Sequence, residues 1–247
     1  MPPTDLNLRR HAGAARERER LIAGHGRRAV FFDLDGTLAD SHGAMRRVFD
    51  GFAAACSRIA SDRDFAAIQG PPVPVLVAKL KQRWGLTQRL DELVRQYEAL
   101  IDGAFLAVAP MEGATATLET AFGNGWQVGV VTSNSGPRCL AWLARTGLAP
   151  FVDLVVGGDQ VCLGKPEPEP YRIALARSRC LADAAIAVED SLQGARSALA
   201  AGLRTFGIAA PERAPVEWPD SVRLIFSLEE LIPEFSRQKL RPATAAR

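Results

Sequence analysis

With 247 residues, 47% of them apolar and 23% charged, the chain holds enough hydrophobic material for one large domain, or a core with a modest second domain. Its formal net charge of +2 argues for neither a nucleic-acid nor a membrane partner, and no apolar run approaches the ~20 residues that span a bilayer. Cys56, Cys139, Cys162 and Cys180 stand far apart with no C-x-x-C, so neither a zinc site nor a disulfide framework is indicated; with no signal-peptide pattern, a cytoplasmic setting is expected.

Residues 1–28 form a basic Ala/Arg/Gly-rich leader around Arg16-Glu17-Arg18-Glu19-Arg20, expected to be a poorly ordered appendage. Interspersed acids and the lack of aromatic residues among the arginines argue against a nucleic-acid arm. The apolar run from Ala29 to Phe32 then reads as a buried strand that ends in Asp33-Leu34-Asp35-Gly36-Thr37-Leu38. Side chains two apart in extended chain share a side, so Asp33 and Asp35 point together, and Gly36 permits a sharp turn at the strand's C-terminal edge. Open parallel sheets bind ligands at that edge.

Residues 42–109 read as almost wholly helical. Met45, Val48, Phe49, Phe52, Cys56 and Ile59 recur at steps of three and four and predict one apolar stripe. Further helices are predicted over about 62–69, 73–84 and 87–102, separated by Gly70-Pro71-Pro72 and by Gly85.

From Pro110 the pattern alternates. Helices are predicted at about 113–123, 137–146, 168–179 and 192–201, with strands at 127–131, 154–156, 185–188 and 204–206. A short strand at 223–226 and a helix from Leu228 close the domain, and 236–247 form a basic tail. Such alternation predicts an α/β fold, a doubly wound, Rossmann-like parallel sheet covered by helices on both faces, with 29–41 and 110–235 as its core.

Three later segments carry chemistry. Val131-Thr132-Ser133-Asn134-Ser135 places small hydroxyl and amide residues between a strand and a helix start, where backbone N–H groups bind anions as readily as they accept ordinary caps. Gly164-Lys165-Pro166-Glu167-Pro168 holds a lysine in a proline-fixed loop, and Pro166 excludes a Walker loop. Val188-Glu189-Asp190 delivers two more acids from a strand to a helix start. Three strands thus bring Asp33 and Asp35, Thr132 and Ser133, and Glu189 and Asp190 to one sheet edge.

In this order the four segments resemble the signatures of the haloacid dehalogenase-like phosphohydrolases, and the helical insert resembles the small cap of the phosphoglycolate phosphatase and β-phosphoglucomutase branch. The resemblance implies that Asp33 is the nucleophile forming an aspartyl phosphate and that Asp35 is the general acid and base. It implies that Thr132 and Lys165 complete the catalytic set. Phosphate would lie against Thr132, Ser133, Lys165 and the backbone of Leu34 and Asp35, and Mg2+ against Asp33, Glu189, Asp190 and the Asp35 carbonyl. The substrate implied is a small phosphorylated metabolite, phosphoglycolate-like or sugar-phosphate-like, turned over by a monomer or homodimer.

The cap pattern favours a hydrolase over a mutase. Met45 stands where a β-phosphoglucomutase would carry a cap histidine, and no arginine follows Gly70-Pro71-Pro72. A non-catalytic binding relative is the other alternative, against which the intact Asp33, Asp35, Lys165 and Asp190 argue. Within the cap, His42, Met45 and Lys79 are the candidate substrate contacts, with Phe49 and Phe52 continuing into the cap's own core.

Overall fold

The computed structural model describes residues 28–68, 71–209 and 217–236. The leader up to residue 27, Gly70 of the cap turn and the tail beyond 236 lie outside the described residues. Six parallel strands form one sheet: β1 (Ala29–Phe32), β2 (Gln127–Val131), β3 (Leu154–Val156), β4 (Ala185–Glu189), β5 (Arg204–Ile208) and β6 (Arg223–Ile225), in the spatial order β3-β2-β1-β4-β5-β6. β1 is central and wholly buried, as a continuous apolar run requires when helices cover both faces. Its side chains alternate: Val30 and Phe32 enter the larger apolar cluster, Ala29 and Phe31 the smaller one.

Between β1 and β2 lie four helices, α1 (His42–Ala55), α2 (Asp62–Ala67), α3 (Val73–Trp84) and α4 (Leu90–Phe105), followed by α5 (Ala114–Gly123) against the sheet. α6 (Gly136–Thr146), α7 (Glu169–Ser178) and α8 (Leu192–Ala200) connect successive strands, and α9 (Ile232–Ser236) closes the described chain. The insert leaves and rejoins the sheet through paired connections. Asp40 N–H donates to the Ala109 carbonyl at 3.0 Å and Met111 N–H to the Leu38 carbonyl at 2.7 Å.

Two helices supply most of the insert's own core. α1 buries Val48, Phe49 and Phe52, and α4 buries Leu93, Tyr97, Ile101 and Phe105, each set at steps of three or four. The α1 stripe stops before Ile59, which is 92% exposed, because the helix ends at Ala55 and the chain turns away. α4 runs three residues later than its polar start suggests, because the four-residue rhythm from Leu93 to Phe105 holds it against α1 and α3.

The Phe52 ring is fully buried, with centroids 5.0 Å from Tyr97 and 6.2 Å from Trp84. Phe52→Ala is expected to cost about 3–5 kcal/mol, read as a lower denaturant midpoint. A change below 1 kcal/mol would mean that the insert closes around the cavity.

Candidate active site

The sheet order explains where the site lies. From β1 the chain runs outward through β2 and β3, then returns to the other side of β1 to lay down β4, β5 and β6. The strand order therefore reverses beside β1, and the crevice left at the strands' C-terminal ends is the binding position of such sheets. Asp33 follows β1, Thr132 follows β2, and Glu189 and Asp190 stand at the end of β4. The Asp33 N–H donates to the Val188 carbonyl at 2.9 Å, which ties the first acid to the strand that carries the other two.

Lys165, from the loop after β3, sits at the centre of this group. Its ammonium lies 2.5 Å from Asp33 Oδ1 and 2.5 Å from Glu189 Oε1, and donates to the Val131 carbonyl at 2.9 Å. Burial alone would lower the Lys165 pKa, but the charges of Asp33 and Glu189 outweigh it and hold the ammonium well above its ordinary value. Tyr171 donates its hydroxyl to Glu189 Oε1 at 2.5 Å, and Lys165 lies over its ring. Burial works upward on the Glu189 carboxyl while Lys165 pulls it down.

Gly194, on the first turn of α8, is where the sequence makes room for this acid. A Cβ there would stand 1.9 Å from Glu189 Oε2.

Asp33, Glu189 and Asp190 each offer a carboxylate oxygen, and the three oxygens lie within 4.8 Å of one another. An all-oxygen donor set of three acids fits a hard divalent cation.

Asp35 is held differently. Its Oδ2 accepts from Asn134 Nδ2 at 3.3 Å, whereas Oδ1 is shut off from water with no hydrogen-bond partner. Burial, then the charge of Asp33, pushes its pKa up to about 6, against hydrogen bonds from Ser41 and Asn134 and the charge of Lys165. A carboxyl poised there can both give and take a proton near neutral pH. Asn134 is itself oriented by Arg138, whose Nη1 donates to Asn134 Oδ1 at 2.5 Å while its Nε donates to Asp102 of α4 at 2.6 Å.

The sequence reading brings most of its candidates together here. Asp33, Asp35, Thr132, Ser133, Lys165 and Asp190 all line one cleft of about 160 Å³, roofed by the insert. Thr132 Oγ1 accepts the Asn134 N–H at 2.9 Å, which leaves its hydroxyl hydrogen to donate. The Leu34 side chain is fully buried and its carbonyl closes the turn by accepting from Thr37, Leu38 and Ala39, so only its N–H remains for a ligand.

In the insert the outcome is mixed. Met45 lines the cleft, as its place on the stripe implies. His42 does not; it is exposed and turns its ring onto the Phe65 edge, with centroids 5.6 Å apart. Lys79 is also exposed and outside the cleft, because α3 turns Leu76, Val77 and Leu80 inward and Lys79 falls on the opposite side.

Sequence reasoning assigned nothing to Ser41, Asn134, Tyr171 or Arg138. The polar cluster after β2 signalled Asn134, but its partner Asp35 is 99 residues away in the chain.

A switch-point crevice carrying four acids, one shared lysine and a helical roof defines an α/β enzyme that works on an anionic group. The chain belongs to the haloacid dehalogenase-like hydrolases, whose family model matches residues 30–208. It is 30% identical to the pyrophosphatase PpaX of Bacillus velezensis over 73% of this chain and 82% of that protein. It is 29% identical to a phosphoglycolate phosphatase of Yersinia pseudotuberculosis, over 87% and 95% respectively.

Among solved structures, CbbY from Rhodobacter sphaeroides in complex with phosphate superposes with a TM-score of 0.73 at 25% identity, covering 83% of this chain and 96% of that one. The protein is thus a phosphatase of the haloacid dehalogenase type.

Proposed function

We propose that the protein hydrolyses a small phosphomonoester, of the size of phosphoglycolate or a sugar phosphate, through an aspartyl-phosphate intermediate on Asp33, and that it uses Mg2+. The observation that carries this reading is the Lys165 ammonium, 2.5 Å from Asp33 Oδ1, which orients one carboxylate oxygen and adds positive charge where a phosphate would collect. An Asp33 oxygen attacks phosphorus, the bond from phosphorus to the alcohol oxygen breaks, and Asp35 gives that oxygen its proton. Asp35 then takes a proton from water as the water oxygen attacks phosphorus, freeing Asp33 and inorganic phosphate.

Thr132, Ser133 and the backbone N–H groups of Leu34 and Asp35 surround the transferring oxygens. Asp33, Glu189, Asp190 and the Asp35 carbonyl would hold Mg2+, which when bound neutralises phosphate charge beside the nucleophile. The insert, residues 42–109, serves as the cap that keeps water from the reacting centre, hinged at the paired connections near Asp40 and Ala109.

Among the described residues no helix is long and apolar enough to cross a membrane, and all four cysteines are free, which supports a cytoplasmic setting.

Phosphate release from a panel of phosphorylated metabolites tests the reading. Activity is expected to vanish in excess chelator and to return with Mg2+, but not with Ca2+, which takes more ligands at longer distances. Undiminished turnover in chelator would remove the metal from the account. Asp35→Asn is expected to slow turnover of alkyl esters by about 100-fold or more, and to slow esters of acidic phenols less in the phosphorylation step, since those leave without a proton. Equal loss on both, measured as pre-steady-state release of the alcohol, would place the acid elsewhere.

A further inference from the structure

The cleft over Asp33 has two unlike walls. Everything the core contributes to it is polar or charged, from Asp33 and Asp35 through Thr132 and Asn134 to Lys165 and Asp190. Everything the described insert contributes is apolar but for one hydroxyl: Met45, Phe65, Val73, Leu76, Tyr97 and Ile101, with Ile68 and Pro71 beside them, line the cleft, and none carries a charge.

The insert's cations are engaged elsewhere or turned outward. Arg46 pairs with Asp50 and Asp62, Arg83 with Asp64, Arg89 and Arg95 with Asp91. Lys81 donates to the Leu86 and Gln88 carbonyls, Arg58 to the Trp84 carbonyl, and Arg47, Arg63 and Lys79 are exposed and outside the cleft. In the described residues nothing on the roof could neutralise a carboxylate or a second phosphate, and only the Tyr97 hydroxyl could meet a sugar hydroxyl.

Resting on the phosphatase reading, we infer that the alcohol portion of the substrate is uncharged and hydrocarbon-like, so that the enzyme selects phosphomonoesters of apolar alcohols over carboxylated or polyhydroxylated esters of the same size. The core wall, together with the Mg2+ proposed above, meets the phosphate charge, and the insert wall gains only from carbon. Each methylene laid against it is worth roughly threefold to fourfold in specificity constant. A hydroxyl left unpaired there loses about 10- to 100-fold.

Carbon-matched esters separate the possibilities. Specificity constants are measured with Mg2+ for ethyl, propyl and butyl phosphate, for glycerol 1-phosphate as the hydroxylated match of propyl phosphate, and for phosphoglycolate as the carboxylated match of ethyl phosphate. The expected result is a rise of about threefold to fourfold per methylene from ethyl to butyl. Propyl phosphate should exceed glycerol 1-phosphate by about tenfold or more. Val73→Thr, nearly the same shape with a hydroxyl in place of one methyl, should lower the butyl value more than the ethyl value.

Glycerol 1-phosphate or phosphoglycolate turned over as well as, or better than, its alkyl match overturns the inference and leaves the phosphatase reading intact. A Val73→Thr protein with the alkyl series unchanged removes α3 from the alcohol wall and overturns it likewise. If no ester in the set or among the phosphorylated metabolites is hydrolysed with Mg2+ present, the phosphatase reading itself fails, and this inference with it.

Discussion

Asp33→Asn is expected to lower multiple turnover by at least about 10³-fold with the fold intact. The amide keeps the volume of the carboxyl but removes the oxygen nucleophile, along with one of the acids proposed to hold the metal. The fold should survive because Lys165 keeps Glu189 Oε1 at 2.5 Å and the Val131 carbonyl at 2.9 Å as partners. The main chain is anchored independently through the Asp33 N–H to Val188. Phosphate release should be followed together with thermal unfolding, with mass spectrometry to exclude deamidation back to Asp. A variant that turns over within tenfold of the natural protein would falsify the covalent route through Asp33.

Lys165→Met is expected to cost stability as well as rate. Methionine matches the lysine stem in length, so packing against Tyr171 is largely kept. The loss is the ammonium, which leaves Asp33 and the fully buried Glu189 as neighbouring carboxylates with no cation between them and deprives the Val131 carbonyl of a donor. Removing one partner from a buried ion-paired group costs about 3–5 kcal/mol, and the effect should appear in full in denaturant titrations with chelator present.

Turnover should fall by about 10²-fold or more, since a preorganised charge at the transferring phosphate is lost. Mg2+ should restore more stability to Lys165→Met than it adds to the natural protein, because a cation among the acids replaces the missing charge. A midpoint within 0.5 kcal/mol of the natural protein in chelator would show that the acids are relieved by protonation or by movement instead.

The strands were legible along the chain as short apolar runs, of which β1, β2 and β4 give way directly to polar residues. β2 and β3 begin and end where that pattern begins and ends. β1, with every residue buried, reads as a continuous apolar run for the same reason. Helix existence was equally legible from three- and four-residue rhythms, whereas helix ends were not. Ile59 continues the rhythm of α1 and is nonetheless exposed, because the helix stops at the turn after Ala55 and the chain returns through Phe65 of α2 onto Phe49.

The acids were legible because they stand at or just after strand ends, whereas Lys165, in the loop between β3 and α7, was legible only through the resemblance of its Gly164-Lys165-Pro166 segment. Their alternating side chains settle direction locally, over two or three residues.

Sequence alone therefore determined the class of fold, the order of its elements and the identity of the residues at the sheet edge. Only the tertiary structure decided which of them touch. Lys165 meets Asp33 across 132 residues, Asn134 meets Asp35 across 99, and Tyr171 meets Glu189 across 18. Asn134 reaches Asp35 because β1 lies beside β2 in the sheet, and Tyr171 reaches Glu189 because α7 packs across the sheet. The face each insert helix turns to the cleft was decided the same way, and it excluded His42 and Lys79 while admitting Met45, Tyr97 and Ile101. The physical reason is one of range. Periodicity and capping are set by neighbours within about a turn of helix or a few residues of strand, whereas strand order and helix rotation are set by burying all the apolar faces at once.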